Sequence, residues 1–260
     1  LKPKTLYGIV GGTGFESLLE HPREEKVETP YGDNPKVFLG EIQGLNVVFI
    51  PRHGVKHELP PHKINYRANL WALHVKGVER IVATNAVGTI NPLFQAGDLV
   101  VPHDLIDFTK SRLSTYHEVP PVTHIDFTEP YCREIREALI KAVREVAEKV
   151  WEHGVYVCTE GPRYETPAEI KMYRTLGGDL VGMTGCPEAV LARELGICYA
   201  TLCLVSNLAA GMQERLTTTE VLKVTAGKRR LISEVISRVL ERIPQDRRCR
   251  CREALIEAGV

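Results

Sequence analysis

Cys198-Tyr199-Ala200-Thr201-Leu202-Cys203-Leu204-Val205-Ser206 is the stretch on which the fold turns. It is a nearly continuous apolar run, and a strand that is apolar on both sides belongs in a sheet covered on both faces. Toward the N-terminus, Pro187 to Glu194 reads as a helix and Leu180 to Met183 as a strand, preceded by a helix at Pro167 to Arg174 and a strand at Val155 to Thr159. Toward the C-terminus, Val221, Val224, Leu231, Val235, Val239 and Ile243 mark one side of a long helix from about Thr218 to Arg242. The first half alternates in the same way. Leu6 to Val10 is a strand, Lys36 to Leu39 and Asn46 to Ile50 are strands around a turn at Gly40 to Gly44, and Ile64 to Val75 is helical behind Pro60-Pro61. Arg80 to Ala86 and Asp98 to Val101 are strands, and Ile135, Leu139, Val143, Val146 and Val150 predict a long amphipathic helix after Pro130. Strands alternating with helices predict an α/β fold, a single-domain three-layer sandwich with a central mixed β-sheet flanked by helices.

The composition agrees. The 260 residues are 43% hydrophobic and 25% charged, an ordinary globular balance. No linker-like or charged block divides them, so one domain over 1–260 is expected, with 243–260 as a tail. A chain of this length buries roughly 70 to 75% of its unfolded surface, enough for one sizeable core. Thirty-three basic residues cancel 33 acidic ones, which argues against a nucleic-acid or membrane-surface partner, because polyanions require clustered Lys and Arg. No long apolar run or signal-peptide pattern is present in the sequence, so a cytoplasmic location is expected. The seven cysteines, several in core-like segments, read as reduced thiols, while Cys249-Arg250-Cys251 lacks the two-pair spacing of a zinc site and any nearby His cluster.

In α/β folds ligands sit at the carboxyl ends of strands. Gly11-Gly12-Thr13-Gly14 follows a strand and can bring backbone N–H groups and the Thr13 hydroxyl to an anion, though it fails both the dinucleotide and P-loop patterns. Pro51-Arg52-His53-Gly54 offers a guanidinium fork suited to phosphate. Asn85-Ala86-Val87-Gly88, Gly182-Met183-Thr184-Gly185 and Ser206-Asn207 also stand at strand ends. Taken singly, these are ordinary turns. His57, Glu58 and His62 miss the H-E-x-x-H spacing by one residue, and Pro60-Pro61 forbids the helix that motif needs, so no metal is expected there. Cys186 has no neighbouring His to activate it as a nucleophile.

These motifs, with Thr29-Pro30-Tyr31-Gly32, the run from Pro60 to Asn69, Glu160-Gly161-Pro162-Arg163 and Pro187-Glu188, resemble the trimeric purine nucleoside phosphorylases and their methylthioadenosine phosphorylase branch along nearly the whole chain. The resemblance implies a phosphorylase-like sandwich and phosphorolysis: inorganic phosphate displaces a purine from C1′ of a nucleoside, with no metal or organic cofactor. It implies a phosphate site at Thr13, Arg52, His53, Asn85, Ala86 and Thr184, with Asn85 standing where methylthioadenosine enzymes carry Thr. Met183 is similar to the residue beneath the ribose, and Tyr164 to the aromatic against the purine.

At the base edge the chain departs from the methylthioadenosine pattern of Ser after the aromatic and Asp-x-Asp after the late strand. It has Glu165 and Asn207 instead, the residue types of 6-oxopurine phosphorylases. A carboxylate at Glu165 accepts the N1–H of hypoxanthine or guanine, whereas adenine's bare N1 would leave it unpaired. Asn207 can donate to O6 and accept from N7–H. Catalysis is therefore expected from Arg52, Glu165 and Asn207, acting as the sugar turns cationic and the base anionic. The plain alternatives are an exposed acidic residue at a helix start for Glu165 and a turn residue for Asn207.

His124 resembles a residue contributed by a neighbouring subunit to the ribose 5′ pocket, which implies a homotrimer or homohexamer; an unengaged loop residue is the alternative. No His stands near Leu216 and Thr218 to bind a 5′-hydroxyl, so S-methyl-5′-thioinosine leads as substrate, followed by inosine and guanosine. The rival readings are methylthioadenosine phosphorylase, a nucleosidase that uses water, and a purine-sensing module without catalysis. The Cys249-x-Cys251 pair resembles one that closes a small disulfide in heat-stable archaeal members, a strained and redox-labile ring expected to tighten the tail.

Overall fold

The computed structural model describes residues 6–12, 15–256 and 258–259; Thr13 and Gly14 of the glycine turn lie outside the described residues. In chain order the strands are β1 (Tyr7–Gly11), β2 (Glu20–Lys26), β3 (Lys36–Ile42), β4 (Leu45–Pro51), β5 (Arg80–Thr89), β6 (Leu99–Val100), β7 (Asp104–Phe108), β8 (Val155–Thr159), β9 (Leu180–Gly182) and β10 (Cys198–Leu208). The helices are α1 (Tyr66–Val75), α2 (Arg133–Arg144), α3 (Pro167–Thr175), α4 (Gly185–Glu194) and α5 (Thr218–Arg242). The strands form one mixed sheet in the order β2-β3-β4-β1-β5-β9-β8-β7, with β10 alongside β5 and β6 beside β10.

The apolar run is indeed the central strand. All of β10 is buried except its last residue, because α2 and α5 pack on it and on each other, and α4, itself packed against α1, covers it as well. It runs parallel to β5 from Cys198 opposite Arg80 to Leu208 opposite Thr89, with a register shift between Val205 and Asn207. Strands β4, β1, β5 and β10 are mutually parallel, as are β7, β8 and β9, and the second set meets the first antiparallel at the β5–β9 pair. Their carboxyl ends therefore converge around the end of β5.

Several local boundaries differ from the sequence expectation for physical reasons. Gly40 lies within β3; the hairpin turns at Gln43 and Gly44, both at positive φ (51° and 72°), the conformation a two-residue loop between right-twisted strands requires. Helix α2 stops at Arg144, and Val146 and Val150 follow in irregular chain that still packs on the core, so an apolar period marked a buried face longer than its helix. Strand β2, Glu-His-Pro-Arg-Glu-Glu-Lys, shows no apolar alternation because it is an exposed edge strand pairing only with β3. β7 is an edge strand as well, paired with β8. No helix among the described residues is long and apolar enough to cross a membrane.

The ring expected between Cys249 and Cys251 is not formed. All seven cysteines are free thiols, and the C-terminal pair instead meets Cys132 and Cys198, its Cys249 Sγ 3.3 Å from Cys198 Sγ. The isolation that the sequence suggested for the Cys-x-Cys pair is thus corrected: its neighbours come from the start of α2 and the start of β10.

Strand β9 runs so close to β8 that a Cβ on Gly182 would lie 2.1 Å from Tyr156 Oη and 2.7 Å from its Cζ. The Tyr156 ring and the Gly182 backbone are both buried. Gly182→Ala is expected to destabilise the fold by about 1–3 kcal/mol through overpacking, with partial recovery in Gly182→Ala/Tyr156→Phe, which removes only the closer atom; urea unfolding of both variants measures this.

Candidate active site

The converging strand ends enclose a pocket of about 850 Å³, within the usual size for a small-molecule site. One end is polar and cationic. β4 delivers Arg52, 3% exposed, whose Nε and Nη2 donate to Glu188 Oε1 and Oε2 at 2.5 and 2.8 Å while Nη1 donates to the Thr84 carbonyl at 2.8 Å. Burial works against this charge, but the carboxylate of Glu188 outweighs it and holds the guanidinium above its ordinary pKa. Five N–H groups minus those three donations leave two for a ligand.

His53, the next residue, is held by a 2.8 Å contact between Nδ1 and the Leu59 carbonyl, so Nδ1 carries the proton and Nε2 is left as an acceptor. Burial and then Arg52 push its pKa down to about 4, which keeps the ring neutral near pH 7. From β5, Asn85 donates to Thr201 Oγ1 at 2.7 Å and accepts from Thr184 Oγ1 at 2.8 Å. Thr184 is the N-cap of α4, whose positive end favours an anion, and its backbone N–H and that of Gly185 reach Tyr156 Oη only at 3.5 and 3.4 Å. Ala86 breaks the burial of β5 and faces the pocket, as does Gly12.

The other end suits a flat heteroaromatic ring. Asn207 is 4% exposed; its Oδ1 accepts from Ser206 Oγ at 2.7 Å and its Nδ2 donates to the Leu208 carbonyl at 2.9 Å. One amide hydrogen and one lone pair are left over. The shift in the β5–β10 register at this point re-aims the strand end, and Gly88 makes room, since a Cβ there would come within 3.1 Å of Asn207 Nδ2. Glu165 accepts from Thr159 Oγ1 at 2.8 Å through Oε1. Burial raises its pKa despite that hydrogen bond. Tyr164 and Met183 complete this end, with Tyr164 Oη 3.5 Å from Thr218 Oγ1 at the start of α5. Leu216, Val221 and Leu222 give the remaining wall an apolar character.

Arg52, His53, Asn85, Ala86, Tyr164, Glu165, Met183, Thr184 and Asn207 therefore all line one pocket. Thr13 lies outside the described residues. His124 does not line it; its backbone N–H donates to the Ala258 carbonyl at 2.7 Å and its side chain is exposed. Sequence reasoning missed Glu188, which is fully buried and also accepts from Tyr199 Oη at 2.8 Å. Its signal was an acidic residue within an otherwise apolar stretch of α4, where a buried carboxylate requires a cation. Thr159 and Thr201, which orient Glu165 and Asn85, were likewise hidden as single hydroxyls in apolar strands.

A family model described as the phosphorylase superfamily matches residues 6–241. The chain is 52% identical to a 6-oxopurine nucleoside phosphorylase of Pyrococcus furiosus, covering 95% of this chain and 96% of that protein. It is 49% identical to a probable S-methyl-5′-thioinosine phosphorylase of Methanothermobacter thermautotrophicus, covering 98% and 90%. The crystal structure of a methylthioadenosine phosphorylase from an antarctic soil metagenomic library superposes with a TM-score of 0.92 at 35% identity, covering 100% of this chain and 93% of that one.

Removing one partner of a buried ion pair strands the other charge. Glu188→Ala is expected to cost about 3–5 kcal/mol, and Glu188→Gln less, because its amide oxygen still accepts one Arg52 donor. Urea unfolding of the two variants gives the order.

Proposed function

The chain belongs to the phosphorylase superfamily, and from that premise we propose that it is a purine nucleoside phosphorylase for 6-oxopurine nucleosides. Its substrates are S-methyl-5′-thioinosine, inosine and guanosine, cleaved by inorganic phosphate to the free base and the corresponding ribose 1-phosphate. The observation that carries this reading is that Glu165 and Asn207 stand at one end of the pocket whose other end gathers Arg52, His53, Asn85, Ala86 and Thr184.

Hydrogen phosphate binds on the two remaining Arg52 N–H groups, the Asn85 amide and the N-terminus of α4, and its own hydroxyl donates to the neutral His53 Nε2. The C1′–N9 bond lengthens, the ribose becomes oxocarbenium-like, and a phosphate oxygen forms the new bond to C1′. The departing purine carries the negative charge, which the free Asn207 amide hydrogen stabilises at O6. The proton that phosphate gives up and the one the base takes at N7 balance through solvent, since an amide cannot supply it. Glu165 Oε2 accepts the N1–H and fixes the base. The chain and the co-substrate phosphate supply every group this scheme uses, without metal or organic cofactor. A homotrimer or homohexamer goes with this reading, with His124 of one copy reaching the ribose 5′ end in the next, and so does a cytoplasmic location. The apolar wall at Leu216, Val221 and Leu222 supports a methylthio group at that end.

The decisive experiment compares kcat/KM for S-methyl-5′-thioinosine, inosine and S-methyl-5′-thioadenosine. A 6-oxopurine preference is expected; a tenfold or greater preference for the adenosine compound, on this reasoning, overturns the assignment in favour of a methylthioadenosine phosphorylase. Turnover without phosphate would instead indicate a nucleosidase.

Glu165→Gln is expected to lower kcat/KM for inosine by about 10- to 100-fold, the worth of a hydrogen bond to a charged group, while its new amide donor improves adenosine. Wild-type protein should behave alike on acidification: because burial holds the Glu165 pKa above the ordinary carboxylate value, the acceptor is lost as pH falls through that raised pKa, the KM for inosine rises, and discrimination against adenosine narrows. Steady-state kinetics of both nucleosides from neutral to acidic pH test the sign.

A further inference from the structure

No cysteine lines the pocket, and four of the seven gather elsewhere. Cys132, Cys198, Cys249 and Cys251 come from distant parts of the chain, yet their Sγ atoms all lie within 4.8 Å of one another, three of the residues buried and the fourth half-buried. We propose that these four side chains form a structural Zn²⁺ site that clasps the C-terminal tail to the start of α2 and the start of β10.

The spacing suits the ion. A tetrahedral centre with Zn–S bonds of about 2.3 Å sets its sulfurs about 3.8 Å apart, a value bracketed by the 3.3 Å Cys198–Cys249 separation and the 4.8 Å limit for any pair in the cluster. Buried thiols also serve as small apolar groups, as Cys158, Cys186 and Cys203 do with Tyr156 in a separate cluster, but among the described residues it is these four that bring their sulfurs within ligating distance of one another. Four sulfur ligands in tetrahedral array select zinc among the common divalent ions.

The surroundings carry the complementary charge. Binding exchanges four thiol protons for one Zn²⁺ and leaves the site with two net negative charges. Arg80, fully buried, lies against it with Nη1 3.9 Å from Cys198 Sγ. Its Nη1 also donates to Glu134 Oε2 at 2.7 Å, but Nε and Nη2 have no hydrogen-bond partner. A buried guanidinium with two unpaired donors is costly, and a dianionic thiolate centre is what such a cation fits. Glu134 Oε1 accepts the Arg248 backbone N–H at 2.8 Å, so the carboxylate is engaged with Arg80 and the tail and not with the sulfurs. Cys132 is the N-cap of α2 and its side chain makes no cap hydrogen bond, which leaves the sulfur free to ligate at the positive end of the helix.

The test uses the full chain, untagged, expressed with zinc in the medium and purified without chelator. Elemental analysis should find about one zinc per chain, and thiol titration after denaturation with chelator should find all seven cysteines reduced. Cys249→Ala and Cys132→Ala should lose the metal, and Cys249→His should retain it. Stripping zinc should lower Tm by at least about 5 °C. Zinc present at only a small fraction of the chain concentration, iron in its place, or a thiol count short by two or four through disulfides overturns the proposal. So does an unchanged Tm after complete removal of the metal.

Discussion

A parallel ladder buried on both faces tolerates a polar side chain only where a partner waits for it. The β5–β10 pair is such a ladder, and it carries Asn85, Thr201, Ser206 and Asn207 in its interior. Each is satisfied within the ladder or just beyond it: Asn85 by Thr201 and Thr184, Ser206 by the Val87 carbonyl, Asn207 by Ser206 and Leu208. These bonds saturate some donors and acceptors and leave the remainder of Asn85, Ser206 and Asn207 at the pocket wall. The constraint that keeps the core intact also preorganises the groups that meet the ligand, so little reorganisation is left for binding.

The same logic governs charge. Zero net charge means that the protein as a whole exerts no strong pull on anions. What replaces it is a single guanidinium, held in a dry site by Glu188, which is itself steadied by Tyr199. Neutralising Arg52 in this way reduces its long-range field but fixes its fork, and directional hydrogen bonding then does what bulk attraction does elsewhere. His53 joins as a neutral ring, because a second cation beside Arg52 is suppressed. An anion at this site therefore meets one charge and several dipoles.

Much of this was legible from sequence, and the gaps have physical causes. The central strand, both ends of α5 and the residues at the strand termini were readable, since apolar period and glycine or proline punctuation report burial and turns directly. Edge strands β2 and β7 were not: β2 is exposed almost throughout and has no pattern to display, and β7 offers only five residues, half-buried at Leu105, Ile106 and Phe108. Helix α2 was overrun for the opposite reason, as apolar spacing continued past its last hydrogen bond. Glu165 and Asn207 could be named as a pair only through the family pattern; the residues alone left Glu165 as an exposed acidic residue at a helix start and Asn207 as a turn residue. The pairing of Glu188 with Arg52 and the meeting of the Cys249-x-Cys251 pair with Cys132 and Cys198 were not legible, because both depend on residues brought together by the sheet and not by spacing along the chain.

Strand β10 joins these two hidden features. Cys198 begins it and Asn207 stands at its far end, a separation of about 30 Å at the rise of an extended chain. None of the four clustered cysteines lines the pocket. A cluster so placed cannot touch a ligand at the carboxyl ends of the strands, but it can fix where β10 starts, and with it the register that the bulge before Asn207 completes. Because a one-residue slip in that register would turn Asn207 out of the pocket, anchoring the start of the strand and aiming its end are parts of one mechanical arrangement.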